Sequence, residues 1–193
     1  MTPTFHTDTA LAGGLRALFR LLEERLSLRG PVNVYLAGGM AVYLYTASRV
    51  STDVDAEFGS RVLLPNDLLV DVTLEDGSRQ VVYLDTNYNS SFALMHEDYQ
   101  EDAIPIDLGL EQLRVHVLSP VDLAVSKIAR FADNDRDDIA ALVRLGLTTA
   151  DDIEGRANSA LTAYVGGQEM VRLNLRDAVA LARQIQVQRP QRP

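Results

Sequence analysis

The stretch "LAGGMAVYLYTASRVSTDVDAEF", residues 36–58, ends an apolar run in a glycine pair and offers two aspartates one position apart after thirteen intervening residues. A strand that closes in Gly38-Gly39 and turns straight into a helix leaves backbone N–H groups at the helix start, where the dipole favours an anion. Glycine lets such an anion approach the main chain closely, although glycine pairs also serve as plain turns. In "TDVDAEF" the apolar residues Val54, Ala56 and Phe58 alternate with Asp53, Asp55 and Glu57. On a strand this puts both aspartates on one face, with Cα atoms about 6–7 Å apart. Alone, the acidic stripe reads as a solvent-facing polar edge continued by Glu57. Placed after a glycine turn and a helix of about ten residues, it becomes a carboxylate pair facing a phosphate cradle, which are the parts that two-metal phosphoryl chemistry uses.

Outward from this stretch the elements follow in order. "ALAGGLRALFRLLEERL" sets Leu11, Leu15, Leu18, Phe19, Leu22 and Leu26 at helical spacing before Gly30-Pro31. "VNVYLA" is a short apolar strand and "GGMAVYLYTA" a helix starting at the glycines. "LLVDVTL" and "RQVVYLD" flank Asp76-Gly77, a hairpin signal, and "LRVHVL" is a further strand. From Ser119 helices dominate: "SPVDLAVSKIARF" opens with Ser119 as cap, Pro120 at the first helical position and Asp122 completing a capping box. "RDDIAALVRLGL", "TTADDIEGRANSALTAYVGG" with the cap pair Thr149 and Asp152, and "NLRDAVALARQIQ" supply three more, and the tail "QRPQRP" is expected to fray from about 188. The expected architecture is α/β (α+β), a mixed sheet with flanking helices in residues 1–118 and a helical subdomain packed on it in 119–193.

Composition narrows the function. The 193 residues are 47% hydrophobic and 23% charged, with a formal charge of −9, no cysteine and three histidines, His6, His96 and His116. No run reaches the length of a membrane span, and the lack of a secretory-signal pattern leads to a cytoplasmic expectation. The histidines are too scattered for a structural zinc site, so oxygen ligation of a hard cation is the remaining metal chemistry. The negative charge repels polyphosphates and RNA unless a local basic patch or a metal ion meets them. Cationic small molecules such as aminoglycosides suit it better.

The glycine pair followed by D-x-D resembles the signature of the nucleotidyltransferase superfamily that includes DNA polymerase beta. "RVST" before the aspartates completes an R-x-x-T-D-x-D pattern similar to bacterial members, among them the toxins of abortive-infection and toxin–antitoxin systems. The resemblance implies transfer of a nucleoside monophosphate from an NTP such as ATP to a hydroxyl acceptor, with Mg²⁺ or Mn²⁺ as cofactor. RNA or tRNA, a protein or a small molecule is the implied acceptor, and a cognate antitoxin an implied partner. Asp53 and Asp55 match the metal-binding aspartates; Gly38 and Gly39 match the phosphate-binding glycines, with Arg49 and Thr52 beside them. Met40 stands where many members have Ser or Thr. For the third carboxylate, Asp85 at the end of "VVYLD" is preferred to Asp107 in "IPIDL". His96 is retained only as a weak candidate base and is expected in a polar surface loop.

"VLSPVDLAVSKIARFADNDRDDI" resembles a second motif of the same bacterial families. By that resemblance Lys127 and Arg130, projecting from one face of the helix, reach phosphate, and Asp135 or Asp138 orients the lysine or another site group. Asp133, Asp135, Asp137 and Asp138 can equally serve the next helix start. The rival expectation is a catalytically silent protein that binds a nucleotide or a partner, as an antitoxin or regulator would.

Overall fold

A computed structural model of the chain describes residues 3–188; the tail 189–193 lies outside them. The fold is α+β and divides into two compact units, residues 1–88 with 103–118 and residues 89–102 with 119–193. The segment 89–102, expected within the α/β half, therefore belongs with the helices.

The first unit opens with α1 (Ala10–Arg25), whose N-cap Thr9 accepts from the Ala12 N–H. Its leucine stripe is buried, and the helix stops at Arg25, five residues before Gly30. It packs on β4 (Leu69–Thr73) and β5 (Arg79–Leu84); a Cβ at Gly14 would strike Val72. β4 and β5 form the expected antiparallel hairpin, closed at Gly77 with φ +84°.

β1 (Val32–Leu36) runs parallel to β7 (Leu113–Val117) and antiparallel to β3 (Ala56–Phe58). With β6 (Ile104–Pro105) they make a four-stranded sheet ordered β3-β1-β7-β6. β1 feeds α2 (Gly38–Thr46), whose residues Gly38 to Tyr45 are all buried, as expected of a helix apolar on every side. The single strand expected over 52–58 is instead two. β2 (Asp53–Val54) pairs with β5 in a second sheet, ordered β2-β5-β4, and β3 pairs with β1 in the first. The chain changes sheets at Asp55.

The second unit holds α3 (Pro120–Ser126), α4 (Asp133–Arg144), α5 (Ala150–Leu161) and α6 (Gln168–Gln188), with a 3₁₀ turn at Ser90–Phe92. Ser119 caps α3 with Pro120 in the first turn, and Thr149 and Asp152 form the expected capping box. α3 is shorter than its sequence suggests: it ends at Ser126, and Phe131 adopts a left-handed φ of +50° before α4. α6 begins at Gln168, six residues ahead of the expected "NLRDAVALARQIQ". The segment 89–102 is anchored by Asp102, which accepts from Arg156 Nη2 at 2.7 Å, while the same guanidinium holds buried Asp122 at 2.7 and 2.9 Å. Burial works against the Arg156 charge, but its bonds to Asp122 and Asp102 prevail and raise its pKa.

Glu23 ties α1 to the start of β7 by accepting the N–H groups of Glu111, Gln112 and Leu113. Burial opposes its ionisation, yet the three donors outweigh burial and hold its pKa below the ordinary 4.5. A carboxylate with a depressed native pKa stabilises the fold above its unfolded pKa and loses that contribution as pH falls through the native value. Glu23→Ala is expected to cost about 1–2 kcal/mol at pH 7, a difference that urea unfolding will show shrinking below pH ~4.

Candidate active site

The glycine pair and the aspartate strand touch. Gly38 has φ +66°, and a Cβ there would collide with the Asp55 carboxylate; a Cβ on Gly39 would strike Ser51 Oγ and lie 2.9 Å from Arg49 Nη2. The main chain reinforces the contact, since the Ala37 N–H donates to the Asp55 carbonyl at 2.9 Å. Ala37, the N-cap of α2, supplies no side-chain cap. Thus the helix start is overlaid by the side chains of the 49–55 segment, with Arg49 and Asp55 both against the glycines.

Asp53, Asp55 and Asp85 are half-buried, whereas Val54 and Leu84 between them are buried. In the parallel β2/β5 ladder Asp53 stands opposite Tyr83 and Val54 opposite Leu84, and the Asp85 N–H donates to the Val54 carbonyl at 3.0 Å. Residues of one parity share one face, so Asp53, Tyr83 and Asp85 form a group on one side of this sheet, and Asp55, at the crossing to the other sheet, lies against Gly38. Tyr83 is 45% exposed. Its hydroxyl ionises above the ordinary 10.0, first through desolvation and then through the negative charge of Asp53, Asp85 and Asp55. All three carboxylates thus lie near enough to Tyr83 for their charge to disfavour its ionisation. Asp107, by contrast, follows the edge strand β6 of the other sheet, where it is exposed and accepts from the Gly109 N–H.

Each acid also has local contacts. Asp53 accepts from Ser51 Oγ at 2.8 Å, Asp85 from the Asn87 N–H at 2.9 Å, and Asp55 lies against Gly38. Among the described residues no group of three or more His, Cys, Asp or Glu side chains is arranged as a ready metal cluster. In chemical kind the set fits a hard divalent cation, three carboxylates with no soft ligand among them.

Thr52 joins the ladder through its carbonyl, which accepts the Tyr83 N–H at 3.0 Å. The hydroxyl that meets an aspartate belongs to buried Ser51. Ser51 and Tyr83 were missed in the sequence, although strand parity aligns Ser51 with Asp53 and Tyr83 with Asp85. Met40 is fully buried and offers nothing to a ligand.

The remaining candidates lie in the second unit. Lys127 and Arg130 do not share a helical face, because α3 ends at Ser126 and Lys127 is its C-cap. Lys127, 7% exposed, places Nζ 3.0 Å from Asp138 and 3.6 Å from Asp135. Arg130 grips Asp135 with Nε at 2.7 Å and Nη2 at 2.8 Å. Burial alone would raise the Asp135 pKa, but Arg130, Lys127 and the Ala132 N–H hold it down. His96 is not a surface residue. It is buried, with Nε2 3.0 Å from Ser159 Oγ and Nδ1 accepting the Asp98 N–H.

A family model described as "Nucleotidyltransferase of unknown function (DUF6036)" matches residues 14–177. The chain belongs to this nucleotidyltransferase family. No curated protein and no solved structure matches it. No helix among the described residues is long and apolar enough to cross a membrane.

Two expectations follow from the geometry. Gly38→Ala is expected to lose about 1–3 kcal/mol from backbone strain and the Asp55 clash, whereas Gly155→Ala, inside α5 with open space around it, gains about 0.5–1 kcal/mol; thermal unfolding compares them. The Tyr83 ionisation, followed by ring NMR, is expected to fall toward 10.0 in Asp53→Asn and in Asp85→Asn.

Proposed function

We propose that the protein is a divalent-metal-dependent nucleotidyltransferase of the DNA polymerase beta superfamily, akin to the bacterial abortive-infection and toxin–antitoxin enzymes, that moves a nucleoside monophosphate from an NTP to an acceptor hydroxyl. The observation that supports this most is the β2/β5 pairing, which sets Asp53 opposite Tyr83 and ties Asp85 to Val54, beside a glycine helix start that Asp55 overlies.

In this reading Asp53, Asp55 and Asp85 hold Mg²⁺ or Mn²⁺, which supplies neutralisation of the triphosphate and activation of the acceptor hydroxyl. Gly38 and Gly39 leave the main chain bare where phosphate oxygens approach, and Arg49 adds positive charge at the same place. Ser51 fixes the Asp53 carboxylate through its hydrogen bond. With the loose transition state of phosphoryl transfer, alignment and charge compensation are the main tasks of these groups. Compensation matters more than usual in a chain of charge −9. Lys127 is enclosed by Asp135 and Asp138, and Asp135 is shared with Arg130. We assign this network to setting the α3–α4 junction rather than to contacting phosphate.

Buried Met40, which has no hydroxyl for phosphate, favours a second reading: a silent protein that binds nucleotide or a partner without turnover. The two separate in one assay, with each labelled NTP, Mg²⁺ and tRNA, a cell lysate or an aminoglycoside as acceptor. Pyrophosphate release is expected, reduced at least about 100-fold in Asp53→Asn, Asp55→Asn and Asp85→Asn and unchanged in Asp107→Asn. Nucleotide binding without release in the unaltered protein selects the silent form.

A further inference from the structure

The hydroxyls beside the three aspartates differ in what they can reach. Ser51 is buried and its Oγ is given to Asp53. Thr52 has the opposite strand parity to Asp53, and the residue joins β5 through its carbonyl. Tyr83 is different. It stands opposite Asp53 in the β2/β5 register, two residues before Asp85, on the face it shares with Asp53, and it is 45% exposed. Its ring is longer than an aspartate side chain, so the phenolic oxygen can stand above carboxyl oxygens rooted in the same face. That is the level at which a polyphosphate facing the acids would lie.

We propose that Tyr83 is itself an acceptor, and that the protein transfers a nucleoside monophosphate onto its own Tyr83 hydroxyl. The inference rests on the nucleotidyltransferase reading above and deepens it by naming an acceptor, a tyrosine phenol carried by the enzyme. Tyr83 Oη attacks the α-phosphorus of the NTP and an O–P bond forms. The bond from the α-phosphorus to the bridging oxygen breaks, pyrophosphate leaves with that electron pair, and the phenolic proton passes to water. The product is a phosphodiester at the acid face. It puts the nucleotide where the next NTP must enter, so self-modification also switches the site off. Holding the acceptor beside the acids replaces a bimolecular encounter by an intramolecular one, which helps explain how a strongly acidic chain secures an acceptor.

The test uses the full chain, first treated with a phosphodiesterase to clear any adduct and repurified, then incubated with each α-labelled NTP and Mg²⁺ without an added acceptor. Intact mass and peptide mapping are expected to find one nucleoside monophosphate on the peptide carrying Tyr83. Tyr83→Phe, a change at an exposed ring, is expected to remove the label, and Asp53→Asn to reduce it at least tenfold while thermal unfolding confirms that the variant folds. Pyrophosphate release with the nucleoside monophosphate transferred to an added acceptor and Tyr83 left unmodified overturns this inference and leaves the parent reading standing. Label on any other residue, undiminished in Tyr83→Phe, overturns it likewise. No turnover with any NTP or acceptor removes the parent reading and this inference with it.

Discussion

A glycine helix start pressed against an acidic strand is the contact on which the rest of the first unit depends. At Gly38 the backbone is left-handed and the Asp55 carboxylate occupies the space a Cβ would need; at Gly39 the same is true of Ser51. Side chains at either position would push the 49–55 segment off the end of α2. The Ala37 to Asp55 hydrogen bond would go with it. The two halves of the motif are therefore one structural object, and their spacing in the chain is the length of α2 plus the return to its start.

Asp55 is also where the chain leaves one sheet for the other. β2 ends at Val54 and β3 begins at Ala56, and their partners differ, β5 and β1 respectively. A continuous strand could not serve both sheets. The break places Asp53 beside Tyr83 and Asp85 from the hairpin while keeping Asp55 over the helix start. Two of the three acids are thus neighbours through a parallel ladder, and the third through a helix terminus.

In the second unit, charge is handled by enclosure. Lys127 with Asp135 and Asp138, and Arg156 with Asp122, satisfy charges away from water, while Arg130 and Asp102 join them from exposed positions. Buried pairs of this kind are costly to break, because the surviving partner is left desolvated. Their geometry is that of groups that fix helix ends and a crossing loop.

Much of this was legible in the chain itself. Helical and alternating periodicity, Thr149 and Ser119 caps, Asp76-Gly77 and Gly38-Gly39 are local signals, and local sterics and hydrogen bonding act through near neighbours in sequence. The same strand parity that paired Asp53 with Asp55 is intrinsic to an extended backbone. Other features needed the fold. The division of 53–58 between two sheets, the closeness of Asp85 rather than Asp107 to Asp53, and the place of Tyr83 among the acids depend on which strands pair, and pairing joins residues about thirty apart. The end of α3 at Ser126 and the burial of Lys127 and His96 were equally hidden, since the ion pairs and packing that favour them come from α4 and α5. Sequence alone determined the parts and their order, because those follow from local chemistry; tertiary structure decided which strands carry the acids side by side, because that is settled by long-range strand pairing and burial.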